Sequence, residues 1–331
     1  MAPPPLRILE GLFGMLDHRV LVVLCEADIP DLLTKPIKID DLARRINADP
    51  VRLERVLRFA STRGWLKLDR RGRVRPTRIT KFLRRDHPGG WRAWVDFAGG
   101  TEVTDAVASL SLDGTDAFAT ANGAPFFGWM AQHPDRWTIF DQAMAAGARM
   151  HALTIDAAFE WGSVGTVCDV GGGTGDLLVG LLELEPDLNG IVFDLPEVVA
   201  RARPHPRLEA IGGDAFVFVP AGCDVYLLVN VIHDWNDDDA TAILRSVATA
   251  VADHARVVVV DNDHPRHPRA DVASSSDLLM AALTNGGRER DGAQLARMAS
   301  QAGLHLTEST RLASGDFAYQ FSTRPPDSPR S

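Results

Sequence analysis

Between residues 167 and 199 the chain reads VCDVGGGTGDLLVGLLELEPDLNGIVFDLPEVV, a pattern that few folds accommodate. An apolar run, Val167, Cys168 and Val170, enters five positions of which four are glycine: Gly171, Gly172, Gly173 and Gly175. A stretch with helical spacing follows, and a second apolar run, Gly190 to Phe193, ends on Asp194. Glycine lets the backbone approach a ligand at a strand-to-helix turn, and an acid ending the next strand can grip ribose hydroxyls. The glycine spacing narrows the ligand. The dinucleotide fingerprint GxGxxG needs a glycine at 176, where Asp176 stands; the pattern here is GxGxG. That form suits a nucleoside-type ligand with no pyrophosphate to seat at the helix N-terminus, S-adenosylmethionine being the obvious one.

From Val164 onward, apolar strands (167–170, 190–193, 208–211, 224–229, 256–261) alternate with helical stretches. This alternation predicts an α/β domain, a parallel sheet with helices on both faces. LHLTEST and DFAYQFS, joined by a turn at LASG, read as a closing hairpin. Upstream, DDLARRIN forms one short helix. DPVRLERVLRFASTRG forms a second, opened by Asp49 as N-cap with Pro50 in the first turn and closed by Gly64. WLKLD and GRVRPT complete a two-stranded wing. The reading divides the chain into a helical and winged-helix domain (1–90), a helical connector (91–160) broken around LDGTDAF and ANGAPFF, and a Rossmann-like domain (161–323). The tail RPPDSPRS, 324–331, has nothing to bury and is expected to be disordered.

At 331 residues the chain is long enough for two cores. No apolar run approaches the roughly 18–20 residues of a membrane span, and MAPPPLR lacks the apolar core of an export signal. Cys25, Cys168 and Cys223 are far apart without metal-type spacing, which fits reduced thiols in a cytoplasmic protein. Charge is uneven: Leu42 to Arg92 carries sixteen Lys and Arg against four Asp and Glu, while the whole chain carries −9. Taken alone, that basic winged helix reads as a DNA-binding module.

GGDAF (212–216), YLLVNVIHDWNDDDATAILR (226–245), VVVVDNDHP (257–265) and DLLMAALTNGGRER (277–290) join the glycine segment in one ordered set. With FFGWMAQHPDRWTIFDQAMAAG (126–147) upstream, the chain resembles, over nearly its whole length, the S-adenosylmethionine-dependent O-methyltransferases that act on small aromatic hydroxyls. These are the plant caffeate-type enzymes and their bacterial polyketide- and antibiotic-tailoring relatives. The resemblance implies a class I methyltransferase sheet behind a winged-helix dimerisation domain that intertwines with a second subunit and binds neither DNA nor membrane.

Methyl transfer from a sulfonium to a phenol is an in-line displacement by an already activated donor, so the enzyme must align the acceptor and remove its proton. His233, following the apolar strand 225–232, is placed where open α/β sheets bind ligands, and it titrates near working pH. Its HDW triplet stands where the family keeps its base. By position, Asp261 and Glu289 match the acids that orient the imidazole. The plant enzymes usually carry glutamate at the first of these positions, and the shorter Asp261 makes Glu289 the favoured partner.

The resemblance further implies a cofactor site of Gly171, Gly172, Gly173, Asp194, Leu195, Gly213, Asp214, Ala215, Phe216 and Trp235. The glycines would make room for the methionine portion, Asp194 would take the ribose, Asp214 would accept from the adenine and Trp235 would cover it. Several plant members carry a lysine where Val229 stands here, beside Asn230. Phe140, Met144 and Met280 match acceptor-pocket positions, with Phe127, Trp129 and Trp137 as further candidates. DNDHPRHPRAD sets His264 and His267 beside Asp263 but reads as a solvated loop, and no metal is expected. Two other readings stay open. The same fold and cofactor can support non-methylating tailoring such as decarboxylation, hydroxylation or rearrangement, and the basic winged helix can serve a DNA-binding regulator.

Overall fold

The structure is a computed structural model that describes residues 3–263 and 272–325. His264, His267 and the tail from 326 lie outside the described residues. The chain forms two compact units, Met1–Thr104 with Asp135–Gly147, and Asp105–Pro134 with Ala148–Ser331. The segment read as a connector, 91–160, is shared between them.

In the first unit the long helix Pro4–Glu26 buries Val22, Leu24 and Cys25 near its C-terminus, whereas its first four turns carry exposed apolar side chains. Helix Pro50–Thr62 starts where the Asp49 carboxylate accepts the Arg52 N–H at 2.7 Å, satisfying a donor that the first turn leaves open. Leu53, Leu57 and Ala60, spaced four and three apart, give it one buried face. Three short strands, β1 (Ile37–Lys38), β2 (Leu66–Leu68) and β3 (Arg73–Pro76), pair antiparallel in the order β1-β3-β2. The sequence reading had the pair β2–β3 without the two-residue β1. Much of the basic segment is paired within the unit: Arg63 with Asp17, Arg58 with Glu54, Arg73 and Arg75 with Asp69, Arg85 with Asp28.

The second unit is built on β4 (Thr166–Val170), β5 (Asn189–Asp194), β6 (Leu208–Gly212), β7 (Val225–Val229), β8 (Arg256–Asp261), β9 (His305–Arg311) and β10 (Phe317–Ser322). Their order is β6-β5-β4-β7-β8-β10-β9; the first five are parallel, and β10 runs antiparallel to β8 and β9. β4, β7 and β8 are buried over nearly their whole length, as strands covered on both faces must be. One apolar cluster takes in Leu178, Leu181, Leu182 and Ile155; the other takes in Ile243, Leu244, Leu295 and Met298. Strand order reverses at β4: β5 lies on one side and β7 on the other, and ligands bind beyond the carboxyl ends of the strands at such a switch point.

One sequence expectation is corrected. The apolar run 225–232 is not a strand throughout: β7 ends at Val229, and Asn230 takes a left-handed backbone, φ +55. A short 3₁₀ turn, Ile232–Asp234, follows. Val231 and Ile232 are apolar because they are buried in the core, not because they extend the ladder. Among the described residues no helix is long and apolar enough to cross a membrane.

Candidate active site

Beyond β4, Gly171, Gly173 and Gly175 all adopt positive φ (+72, +60 and +79), which side-chain-bearing residues seldom tolerate. A Cβ at Gly171 would stand 2.8 Å from a methyl of Val231, and one at Gly172 would stand 2.8 Å from the Asp169 carboxyl. The glycine loop is therefore packed against the turn that follows β7. At Gly173 a Cβ would meet nothing within 4 Å, so the tip of the loop faces open space. Asp194, ending β5, accepts the Gly173 N–H at 2.8 Å and the Leu195 N–H at 2.7 Å, and so pins the tip. Beneath it Asp169 is buried, and burial together with the negative charge of Asp194 pushes its carboxyl up to about 7.

The donor set fits S-adenosylmethionine. Asp176, hydrogen-bonded by Thr174 Oγ1 at 2.7 Å, puts a carboxylate in the first turn of helix Asp176–Leu184, where a dinucleotide's pyrophosphate would sit. An open glycine tip beside Asp194 suits a cationic ligand that carries a ribose. Gly213 is small for packing reasons: a Cβ there would lie 2.5 Å from the Phe193 ring and 2.7 Å from that of Phe218. Asp214 accepts the Phe216 N–H at 2.9 Å, and Ala215 packs against the core. The Phe216 ring meets Trp235 edge-on at 4.8 Å, and Phe127 stacks on Trp235 at 5.4 Å. Trp235 is thus fixed by two rings, one of which the sequence motifs did not pair with it.

Past β7, the 3₁₀ turn delivers His233. Its Nδ1 donates to Glu289 Oε1 at 3.1 Å; Asp261 Oδ1, 3.9 Å from the same nitrogen, is beyond hydrogen-bond reach. Nε2 lies 3.6 Å from Asp234 Oδ1. Glu289 Oε1 also accepts from Ser276 Oγ at 2.7 Å and Asn262 Nδ2 at 3.0 Å, while the Glu289 N–H donates to Asp277 Oδ1 at 2.9 Å. Glu289 Oε2 and Asp261 Oδ1 are buried with no hydrogen-bond partner among the described residues.

These charges set the protonation state. Burial works against a charged imidazole, but the bond to Glu289 and the charges of Asp234, Asp261 and Glu289 outweigh it, and His233 is pushed up to about 10. Burial also opposes ionisation of Glu289, yet its bond to His233, the charge there, and the donors Ser276 and Asn262 hold it below its ordinary value. Burial raises Asp261 to about 8 and Asp234 to about 6, with His233 opposing both rises.

Arg290, next to Glu289, is buried; it donates to Ile232 O at 2.9 Å, Trp235 O at 2.6 Å and Asp237 Oδ1 at 3.0 Å. Asn262, Ser276, Asp277 and Arg290 escaped sequence reasoning because their contacts are tertiary; only the adjacency of Arg290 to Glu289 offered a signal. Met280 is buried in helix Val272–Leu283. In the other unit, Phe140 packs on Phe97 at 5.3 Å, Trp137 is buried and Met144 is exposed. Trp129 stacks on His133 at 3.6 Å. Among the described residues no cluster of three or more His, Cys, Asp or Glu could hold a metal ion.

The model of the O-methyltransferase domain matches residues 101–305, and that of the O-methyltransferase dimerisation domain matches residues 9–86. The second match contains most of the basic segment. The chain is 32% identical to O-methyltransferase SfmM3 of Streptomyces lavendulae over 320 residues, 92% of this chain and 96% of the relative. It is 30% identical to aclacinomycin 10-hydroxylase RdmB of Streptomyces purpurascens over 330 residues, 95% of this chain and 88% of the relative. Among solved structures, LaPhzM superposes with a TM-score of 0.90 at 29% identity, covering 97% of this chain and 99% of that one. With the glycine loop, the two acids and the histidine turn gathered at the switch point of the sheet, the chain belongs to the O-methyltransferase family and is an S-adenosylmethionine-dependent enzyme with an N-terminal dimerisation domain.

Proposed function

We propose that this enzyme methylates a hydroxyl of a small aromatic natural product, of phenolic or polyketide type, with His233 as the general base, and that it works as a homodimer. The observation that carries the reading is the contact of His233 Nδ1 with Glu289 at 3.1 Å, in a turn packed against the glycine loop. Residues 1–90 would form the dimerisation domain, 91–160 would contribute to the acceptor pocket, and 161–323 would be the catalytic domain. Phe140, Met144 and Met280 are proposed to contact the acceptor. Gly171, Gly172, Gly173, Asp194, Leu195, Gly213, Asp214, Ala215, Phe216 and Trp235 are proposed to hold the cofactor.

Bound S-adenosylmethionine supplies a methyl group already activated by positive charge. The rest falls to the chain's own residues. Glu289 engages Nδ1 and fixes the tautomer, which leaves Nε2 to face the acceptor hydroxyl. As the hydroxyl proton moves to Nε2, the positive charge that forms is balanced first by Glu289, held ionised below its ordinary value, with Asp234 beside Nε2. The same acids hold the resting ring protonated, so a weakly acidic hydroxyl needs that proton to leave first. An acceptor that arrives as its phenolate needs only to pair with the imidazolium.

The relationship to a 10-hydroxylase keeps a second reading alive, in which the fold and cofactor support hydroxylation or decarboxylation. Product mass decides. Incubation with S-adenosylmethionine and a panel of phenols is expected to give products heavier by one methylene, with S-adenosylhomocysteine in equal amount. Products that gain oxygen or lose carbon dioxide, with no methyl added, would overturn the first reading.

A further inference from the structure

The turn that carries His233 has little holding it from within. It is a three-residue 3₁₀ segment with no side-chain cap at its start, entered through a left-handed Asn230. Besides the glycine loop packed on Val231, one distant stretch, residues 284–290, supports it. A Cβ at Gly287 would stand 2.7 Å from the carbonyl oxygens of His233 and Asp234, so the backbones are in direct contact there. Two residues on, Glu289 meets the imidazole. The next residue, Arg290, donates to the carbonyls on either side of His233, those of Ile232 and Trp235. Its third donor, Nε, is anchored by Asp237 at the start of helix Asp237–Ala250, and its backbone bridges to Asp263, two residues beyond Asp261.

We propose that Arg290 is the positioning residue of the base: its guanidinium fixes the backbone on both sides of His233 in register with Glu289, so that imidazole and carboxylate meet at hydrogen-bond distance. The proposal rests on His233 being the base. The chemistry calls for arginine. A planar guanidinium presents several donors at fixed angles and can hold two carbonyls and a carboxylate at once, whereas an ammonium is a point charge on a flexible stem. Burying that charge is tolerable because each of its three nitrogens donates a hydrogen bond and Asp237 supplies the opposite charge. Trp235, whose carbonyl Arg290 holds, is also the ring between Phe127 and Phe216, so the same guanidinium steadies the aromatic wall beside the base.

The test compares Arg290→Lys, and Arg290→Ala with and without added guanidinium chloride, against the wild type. Readouts are S-adenosylhomocysteine affinity, kcat, KM and the pH dependence of kcat/KM on a weakly acidic phenol. In both variants kcat is expected to fall about 10–100-fold, the usual consequence of a reacting group displaced by about an ångström, and by clearly more than S-adenosylhomocysteine affinity falls through the loosened Trp235. The ionisation seen in kcat/KM is expected to move downward, toward a free imidazole, because a loosened turn weakens the contact with Glu289. Guanidinium is expected to restore part of the Ala variant's turnover. In a His233→Ala background, Arg290→Lys is expected to cost nothing more.

A folded Arg290→Lys enzyme with wild-type kcat and pH profile overturns the proposal, as does a loss that multiplies with that of His233→Ala. Where the Arg290 variants fail to fold, the half-exposed Asp237→Asn carries the test: a smaller fall in kcat with the same downward shift supports the proposal, and an unchanged profile refutes it. Full activity in His233→Ala alone instead removes the base reading, a result separable from any outcome at Arg290.

Discussion

His233 sits among the acids Glu289, Asp234 and Asp261 in a buried turn, and the balance between their pull and burial decides when the ring can accept a proton. Since Glu289, Asp234 and Asp261 together raise it to about 10 against the opposing effect of burial, kcat/KM on a weakly acidic phenol should still be climbing well above neutrality. The direction of change on mutation follows. Glu289→Gln removes an anion that favours the charged ring, so the rising limb should move to lower pH; a limb that stays in place would detach Glu289 from the base. His233→Ala should lower turnover by roughly 10²–10⁴-fold with S-adenosylhomocysteine affinity nearly unchanged, and Glu289→Gln should cost less. A phenol already ionised at the working pH should lose much of its dependence on His233. At the cofactor end, Asp194→Ala should weaken S-adenosylhomocysteine binding by about 1.5–3 kcal/mol, the range for a hydrogen bond to a charged group. Calorimetry reads that directly, and affinity unchanged by the substitution would remove Asp194 from the cofactor site. Single residues were legible to very different degrees. Asp194, His233 and Glu289 could be picked out because each sits at a fixed place in a motif. Arg290 and Asn262 act through a backbone carbonyl or a side chain brought close only by the fold, and nothing in their spacing announces it.

At the level of elements, two strands neighbouring at the switch point end in unusual backbone: glycines in the left-handed region after β4, and Asn230 in the same region after β7. The two glycine positions of the loop should respond differently to alanine. Gly173→Ala meets only the left-handed backbone, a cost of about 1–2 kcal/mol. Gly171→Ala meets that backbone and also the Val231 methyl at 2.8 Å, so it should be the more destabilising of the two in thermal unfolding and should disturb the His233 turn as well. Equal losses, or a worse loss at Gly173, would mean that the loop and the turn are not packed as described. The parallel strands and the closing hairpin were readable because long buried strands have a plain apolar signature. The strand bounds 224–229 end where β7 ends, whereas the apolar run 225–232 carried it too far, because Val231 and Ile232 are buried without being laddered and hydrophobicity does not tell these states apart. β1 was invisible because two residues, Ile37 and Lys38, are too few for any period to show.

For the molecule as a whole, the helix Pro4–Glu26 poses a problem that one chain does not solve. Ile8 is 66% exposed, Leu12 59%, Phe13 53% and Met15 72%, with Leu6, Leu9 and Leu16 also open, an apolar surface that a lone soluble chain rarely displays. The helix belongs in part to the matched dimerisation domain, residues 9–86. In the basic segment, Arg58, Arg63, Arg73, Arg75, Arg84 and Arg85 already have carboxylate partners. Any DNA retention should therefore be weak and should vanish with modest salt. A second copy covering the helix is the economical answer, since a two-fold contact buries the same apolar patch on both subunits at once. Light scattering should give twice the chain mass for the wild type. Leu12→Asp with Phe13→Asp should release the monomer, because each substitution sets a carboxylate where the partner's apolar face would lie. Leu12 and Phe13 are exposed within the chain, so the double variant has no buried contact to lose in the monomer, and its catalytic unit should retain a cooperative unfolding transition. A wild-type protein that is monomeric and fully active at assay concentrations would show that this helix serves some other surface.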